Sequence, residues 1–331
     1  MTKKELRDQF YMQERIPMAQ MQPNDVFTHY KLKTGQVIFE TYIDSGLGGE
    51  EVEINMMNDM HINYISAEDE DDDEVMLTKK CRWFCANGAS LRAVDGAMDV
   101  AQYADQTVLA GDTMDFLCKG NLEMVKKHIF DRDPSVLAPI GIHELGKNVQ
   151  TGKHDRIPLE ERFKIVQSHW IHDLLYETRD HKDKVICVAI DNSRSYYLKG
   201  VAARLQADVE RARKENKIIL MFQHEPLATG VPADAVSHPL YDAYRGDRNF
   251  YDGVSIFSKN KPMKPGDEEM YEVLKNGTDV IRGIFCGHYH SLFYHEIHFD
   301  TDEGVKTIPQ YTCVGNTYFG MDGVVTRIIV R

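Results

Sequence analysis

Five short apolar runs that break off into Asp, His and Gly constrain this chain more than any other feature. They are VEINMM before NDMHIN, TVLA before GDTMD, SVLAPI before GIHEL, IILMFQ before HEPL, and VIRGIFC before GHYH. DKVICVAIDNS has the same form without a histidine. Apolar runs this short, bounded by turn residues, read as strands buried on both faces. Helical stretches alternate with them, KGVAARLQADVERARKEN most clearly and part of CRWFCANGASLRAVDGAMDVAQYA. Strands alternating with helices predict an α/β architecture with a largely parallel sheet, in which ligands gather beyond the carboxyl ends of the strands. The polar residues fall at those ends: Asp59 and His61, Asp112 and Asp115, His143 and Glu144, His224, and His288 and His290.

With 331 residues the chain can bury a substantial core. Its division is expected as an N-terminal arm and hairpin over 1–48 and a main domain over 49–331. Residues 1–22 read as an arm or peripheral helix, and VFTHYKLKTGQVIFETYI as two strands about a turn at Lys33-Thr34-Gly35. The run EDEDDDE, Glu68 to Glu74, reads as a solvated loop of mutually repelling charges. KTIPQYTCVGN and GVVTRIIVR read as strands that close the sheet. The stretch of about 228–278 is too irregular for a simple crossover and reads as a lid-like insertion. Within it, Arg245 and Arg248 with Tyr241, Tyr244 and Tyr251 suit gripping a phosphate and stacking a ring, and suit an ordinary surface loop equally well.

A formal net charge of −13 argues against sequence-independent binding to a phosphate backbone, which rests on Lys and Arg. The six cysteines show no zinc-type C-x2-C pairing and several lie in apolar runs, so they read as reduced, buried thiols. MTKKELRDQFYMQERIP carries no apolar core of a signal peptide, and no apolar run approaches the ~20 residues that span a bilayer. A cytoplasmic protein without membrane partners is the expectation. Oligomeric state is not legible.

Imidazoles mixed with carboxylates favour a borderline divalent metal such as Mn, Fe, Zn or Ni over Ca or Mg, which prefer oxygen-only shells. In a strand, alternate side chains share a face, so Asp59 with His61 and His288 with His290 can each converge on one point. Any one histidine among 14 is weak evidence. Their joint placement, each directly after a strand, is what makes a metal site.

The order D-x-H, G-D-x-x-D, G-x-H-E, H and G-H-x-H over residues 59–290 resembles the calcineurin-like metallophosphoesterase superfamily. That resemblance implies a four-layer α/β/β/α sandwich of two mixed sheets with a two-metal site at one edge. It implies Asp59, His61 and His290 on one metal, His224 and His288 on the other, and Asp112 bridging both. His143 would give a proton to the leaving oxygen or stabilise its charge, Asp115 would orient His143, and Glu144 would support the site from behind. The implied activity is hydrolysis of a small-molecule or nucleotide phosphomonoester or phosphodiester by a metal-activated hydroxide.

One position departs from the family pattern. G-N-H-E would place an Asn ligand at 142, and this chain has Ile142, which has no donor atom. A weakened second metal position is expected. Phe116-Leu117 after the G-D-x-x-D motif, in place of Arg-Gly, argues against a protein phosphatase. A manganese-dependent nuclease and a non-catalytic metal-binding scaffold are the rival readings.

Overall fold

The computed structural model describes residues 1–13, 15, 26–82, 91–146, 157–227, 236–237, 263–290, 292–316 and 322–331. The cluster of Arg245, Arg248, Tyr241, Tyr244 and Tyr251 lies outside them, as do residues 83–90 and 16–22.

Two mixed sheets form, in keeping with the fold that the family resemblance implies and not with the one largely parallel sheet that alternation alone suggests. The first contains β1 (Thr28–Lys31), β2 (Val37–Ile43), β3 (Val52–Met57), β4 (Gln106–Leu109) and β12 (Val324–Val330), in the order β1-β2-β12-β3-β4. Its β12 runs parallel to β2 and antiparallel to β3. The second contains β5 (Tyr176–His181), β6 (Val185–Ile190), β7 (Ile218–Gln223), β8 (Val236–Ser237), β9 (Ile281–Cys286), β10 (Phe293–Thr301) and β11 (Gly304–Thr312), in the order β5-β6-β7-β9-β11-β10-β8. Pairings are parallel from β6 through β7 and β9 to β11, and antiparallel outside that block. The expected hairpin forms, with β1 antiparallel to β2, and it belongs to the first sheet.

Strand periodicity sorts the side chains. Val52, Ile54 and Met56 of β3, and Val185, Cys187 and Ala189 of β6, point into one core that also takes Leu220, Phe222, Phe285 and Ile328. That core holds residues of both sheets. The alternate residues Ile186, Val188, Ile219 and Met221 join Leu205 and Val209 of helix Val201–Glu215, with Met270 and Leu274 of helix Pro265–Asn276. Met57 and Val325 of the first sheet join Val94, Ala97 and Met98 of helix Leu91–Ala101, Leu122 of helix Lys119–Val125 and Val166 of helix Leu159–His169. Each fully buried Leu, Ile, Val, Phe or Met contributes roughly 1.5–3 kcal/mol.

Four local expectations are corrected. SVLAPI forms no strand among the described residues. It makes a single bridge, Val108 to Leu137, because its Pro139 cannot donate to a ladder. The charged run Glu68 to Glu74 is solvated only in part, with Glu68, Glu70, Asp71 and Asp73 exposed. Asp69 is buried and accepts from the amides of Ser66, Lys119 and Gly120 at 2.9, 2.9 and 2.8 Å, so it caps helix Lys119–Val125. Asp72 accepts from Glu74 and Val75 and starts helix Asp73–Cys81. Unpaired amides at helix starts draw in two carboxylates that a charge count assigns to solvent. Inside the stretch expected to be irregular, Pro265–Asn276 is a regular helix, with Pro at its start and the Asp267 carboxylate accepting from the Lys264 amide at 2.8 Å. KTIPQYT and VVTRIIV do not close one sheet: the first supplies β11 of the second sheet and the second becomes β12, inside the first.

Helix Lys3–Tyr11 lies on the first sheet, where Arg327 sits 3.8 Å over the Tyr11 ring and Arg7 is 3.5 Å from the Glu53 carboxylate. No helix among the described residues is long and apolar enough to cross a membrane.

Candidate metal centre

The carboxyl ends of β3, β4, β7 and β9 bring the polar residues named from sequence to one place. Three groups there could hold a metal ion: Asp59, His61 and His290; Asp112, His224 and His288; and His61, Asp112 and His143, each with ligand atoms within 4.8 Å of one another. His290 Nε2 lies 3.0 Å from Asp59 Oδ1 and 3.2 Å from His61 Nε2. In the second group His224 Nε2 lies 3.1 Å from Asp112 Oδ2 and 3.3 Å from His288 Nδ1. The groups meet at Asp112, whose Oδ2 is also 4.0 Å from His61 Nε2 and 3.8 Å from His143 Nε2.

The backbone is bent to make this convergence. Among the described residues nine non-glycine residues have positive φ, and Asp59, His61, Asp112, His288 and His290 are five of them. Asp and His tolerate that region better than most residues, yet each such conformation costs about 1–3 kcal/mol and persists only where the surroundings hold it. Two glycines allow the close approach. A Cβ at Gly141 would lie 2.1 Å from Asp112 Oδ1, and one at Gly111, where φ is +81, would lie 2.5 Å from His224 Nδ1.

Hydrogen bonds fix which nitrogen of each ring faces inward. His224 Nδ1 donates to the Ala110 carbonyl at 2.8 Å and His143 Nδ1 to the Asp115 carbonyl at 2.7 Å, while His61 Nδ1 lies 3.1 Å from Asp115 Oδ1. Each ring therefore points its Nε2 toward Asp112, the orientation that outer hydrogen bonds give to metal-binding histidines. The donor set fits a divalent cation: His61 Nε2 and His290 Nε2 lie 3.2 Å apart beside the buried Asp59 carboxylate, a cluster of nitrogen and oxygen donors that a positive charge, proton or metal, would join.

Electrostatics sort the rings by their neighbours. Burial pushes His143 down to about 4 and His288 down to about 3, so both are neutral and able to donate a lone pair at neutral pH. Burial opposes charge on His224 too, but the Asp112 carboxylate beside it wins and raises it to about 10. Glu144 is pushed up to about 7 by burial and then by the charge of Asp112. It accepts from the amides of Gly141, Asp112 and Met114 at 2.7, 3.1 and 2.9 Å, which ties the 141–144 turn to the 112–114 turn.

Asp115 differs from expectation in how it acts. Its carbonyl, not its carboxylate, makes the short contact to His143; the carboxylate oxygen is 3.5 Å from that ring. The carboxylate instead takes His61 Nδ1, Asn63 Nδ2 at 2.9 Å and the guanidinium of Arg82. Burial works against its charge, but the bonds from His61 and Arg82 hold it down at about 2. Reading the sequence missed Arg82, Asn63 and Asn58. Asn58 donates to Asp59 Oδ2 at 2.5 Å and to the Cys313 carbonyl at 3.2 Å. Asn58 and Asn63 flank the D-x-H motif and were findable there; nothing near Arg82 in the chain points to Asp115.

Ile142 sits at the head of the His143–Leu145 turn with φ −70, and it is 44% exposed. It contributes no donor to the second group, which keeps Asp112, His224 and His288.

No protein-family model matches this chain, and no curated protein matches its sequence. Solved structures similar to it include a dimetal phosphatase from Danio rerio, 11% identical over 80% of this chain and 88% of that one, with a TM-score of 0.38. Another is phosphopantetheinyl hydrolase from Mycobacterium tuberculosis, 10% identical over 81% of this chain and 92% of that one, with a TM-score of 0.35. Likeness this loose carries no argument, and the reading that follows rests on the geometry of the site.

Proposed function

We propose that this chain is a metal-dependent hydrolase of small-molecule or nucleotide phosphoesters, built as a calcineurin-like α/β/β/α sandwich. One observation carries the reading: two buried His/Asp groups lie side by side and share the surroundings of Asp112 Oδ2, and a third imidazole, His143, faces the same oxygen at 3.8 Å. The order of the three apolar cores, helices with the first sheet, sheet with sheet, and second sheet with helices, supports the four-layer reading.

In this reading Asp59, His61 and His290 hold one divalent cation and Asp112, His224 and His288 the other. Such ions, when bound, would lower the pKa of a coordinated water and neutralise charge on a phosphoryl group. The rest falls to the chain. Asp115 and the Ala110 carbonyl keep His61 and His224 in the tautomer that faces inward. His143, bound through Nδ1–H to the Asp115 carbonyl, carries a proton on Nε2 only as imidazolium. Burial disfavours that form, and an anionic phosphoester beside the ring favours it, so substrate binding itself loads the proton that Nε2 gives to the leaving alkoxide. Three protein ligands at the second position leave room for water or a substrate oxygen, as in catalytic zinc sites.

The test is turnover of p-nitrophenyl phosphate and its bis ester with manganese or nickel added. Asp112→Ala removes a ligand of the second group whose oxygen also faces His61 and His143 and is expected to abolish turnover, and His143→Ala to lower kcat by about 10²–10⁴-fold, the usual worth of a general acid. Equal rates in wild type and both variants would refute the proposal. Manganese binding without turnover on either ester would favour the non-catalytic scaffold.

A further inference from the structure

Asp115 belongs to none of the three metal-capable groups, yet it holds two of the imidazoles that face Asp112. What holds Asp115 comes from elsewhere in the chain. Arg82 closes helix Asp73–Cys81, its amide donating to the Thr78 carbonyl at 2.8 Å, and its side chain is buried. Its guanidinium donates Nε–H to Asp115 Oδ1 at 3.0 Å and a second N–H, from Nη2, to the same oxygen. That oxygen is also the one facing His61 Nδ1. The helix is pinned a second time just past Asp115, where Val75 packs with Phe116 and Cys118.

We propose that Arg82 is a positioning residue for the Asp59, His61 and His290 group, acting on His61 through Asp115. This rests on the metal reading above. A carboxylate without solvent exposure keeps its charge only if donors surround it, and Arg82 supplies two of them along with a compensating charge. So held, Asp115 accepts the Nδ1 proton of His61 without removing it, and the ring keeps its Nε2 lone pair inward. Loss of Arg82 leaves His61 free to rotate or to exchange tautomers, and one metal position loses a ligand while Asp112, His224 and His288 keep theirs. The helix that follows the acidic run thereby becomes part of the centre's support.

The experiment is a manganese titration of the full chain, read by the electron paramagnetic resonance of free manganese, for wild type, Arg82→Gln and Arg82→Lys. Each is also made with His288→Ala, which isolates the first group. Outer partners of metal-binding histidines are typically worth 10–100-fold in affinity. Arg82→Gln is expected to weaken manganese binding by about that factor in the His288→Ala background, and Arg82→Lys, which keeps the charge but not the paired N–H groups, by a smaller but measurable factor of about three to ten. Should Arg82→Gln fail to fold, Arg82→Lys carries the test alone. Unchanged affinity in a folded variant overturns the inference and leaves the metal reading intact. Equal weakening of both metal positions, with a matching loss of thermal stability in chelator, shows a merely structural role and also overturns it. A wild-type chain that binds no manganese overturns the metal reading and this inference together.

Discussion

At the scale of single residues, the centre depends on side chains forced into costly places. Asp59, His61, Asp112, His288 and His290 all hold positive φ, so the strand ends are wound for convergence and not for stability. Ile142 tests the consequence. Its apolar side chain is exposed and adds no donor to Asp112, His224 and His288. In Ile142→Asn, manganese held per chain after gel filtration is expected to rise toward two from a lower wild-type value, with dissociation from the weaker position slowed about tenfold or more. Plasma mass spectrometry counts the ions. A wild type already holding two, with no gain in the variant, would show that three protein ligands suffice at this position.

Between residue and whole molecule stand the short elements that bring the ligands' supports into place, and the acidic run is the clearest of them. Asp69 takes three amide donors and the Ser66 hydroxyl at 2.8 Å, joining the 67–69 turn to the start of helix Lys119–Val125. Burial opposes its charge, but these bonds hold its pKa below the ordinary 3.8. Because the folded value is the lower one, the stabilisation is present above the unfolded value and fades as pH drops through the folded one. Asp69→Ala is expected to cost about 1–2 kcal/mol at pH 7, the usual worth of such a cap, and less below pH ~3.8 as wild type loses the same bonds. Urea midpoints at pH 7 and pH 3 measure both. A cost that is equal at the two values would mean that packing, and not the charged cap, is what Asp69 provides.

The whole molecule is organised around a late strand in an early sheet. Val324–Val330 pairs with Val37–Ile43 on one side and with Val52–Met57 on the other, Thr326 opposite Met56 and Val330 opposite Val52. It also carries Val324, Ile328 and Val330 into the core between the sheets, and Arg327 to the carboxylates of Glu40 and Glu53 at 2.7 and 2.6 Å. Removing residues 324–331 therefore splits the first sheet and opens the central core. The truncated chain is expected to show no cooperative thermal transition and no manganese binding, by calorimetry and the same titration. A sharp transition with metal retained would show that β2 and β3 can pair without it.

Much of the centre was legible before any fold was known, because its signal is local. Apolar runs ending in D-x-H, G-D-x-x-D and G-H-x-H follow from chain neighbours alone, and Val201–Glu215 or Val185–Ile190 announce themselves by period. Period alone does not say which strands pair, so the apolar runs by themselves pointed to one largely parallel sheet, two mixed sheets followed only from the family resemblance, and the polar edge strand Tyr176–His181 passed unnoticed. The same limit hid Arg82, which meets Asp115 across 33 residues of chain, and misread Asp69, whose partners lie 50 and 51 residues away. Sequence by itself determined which residues could bind a metal. Tertiary structure alone decided which nitrogen each ring presents and what holds it there, since hydrogen bonds between distant segments exist only once those segments are packed together.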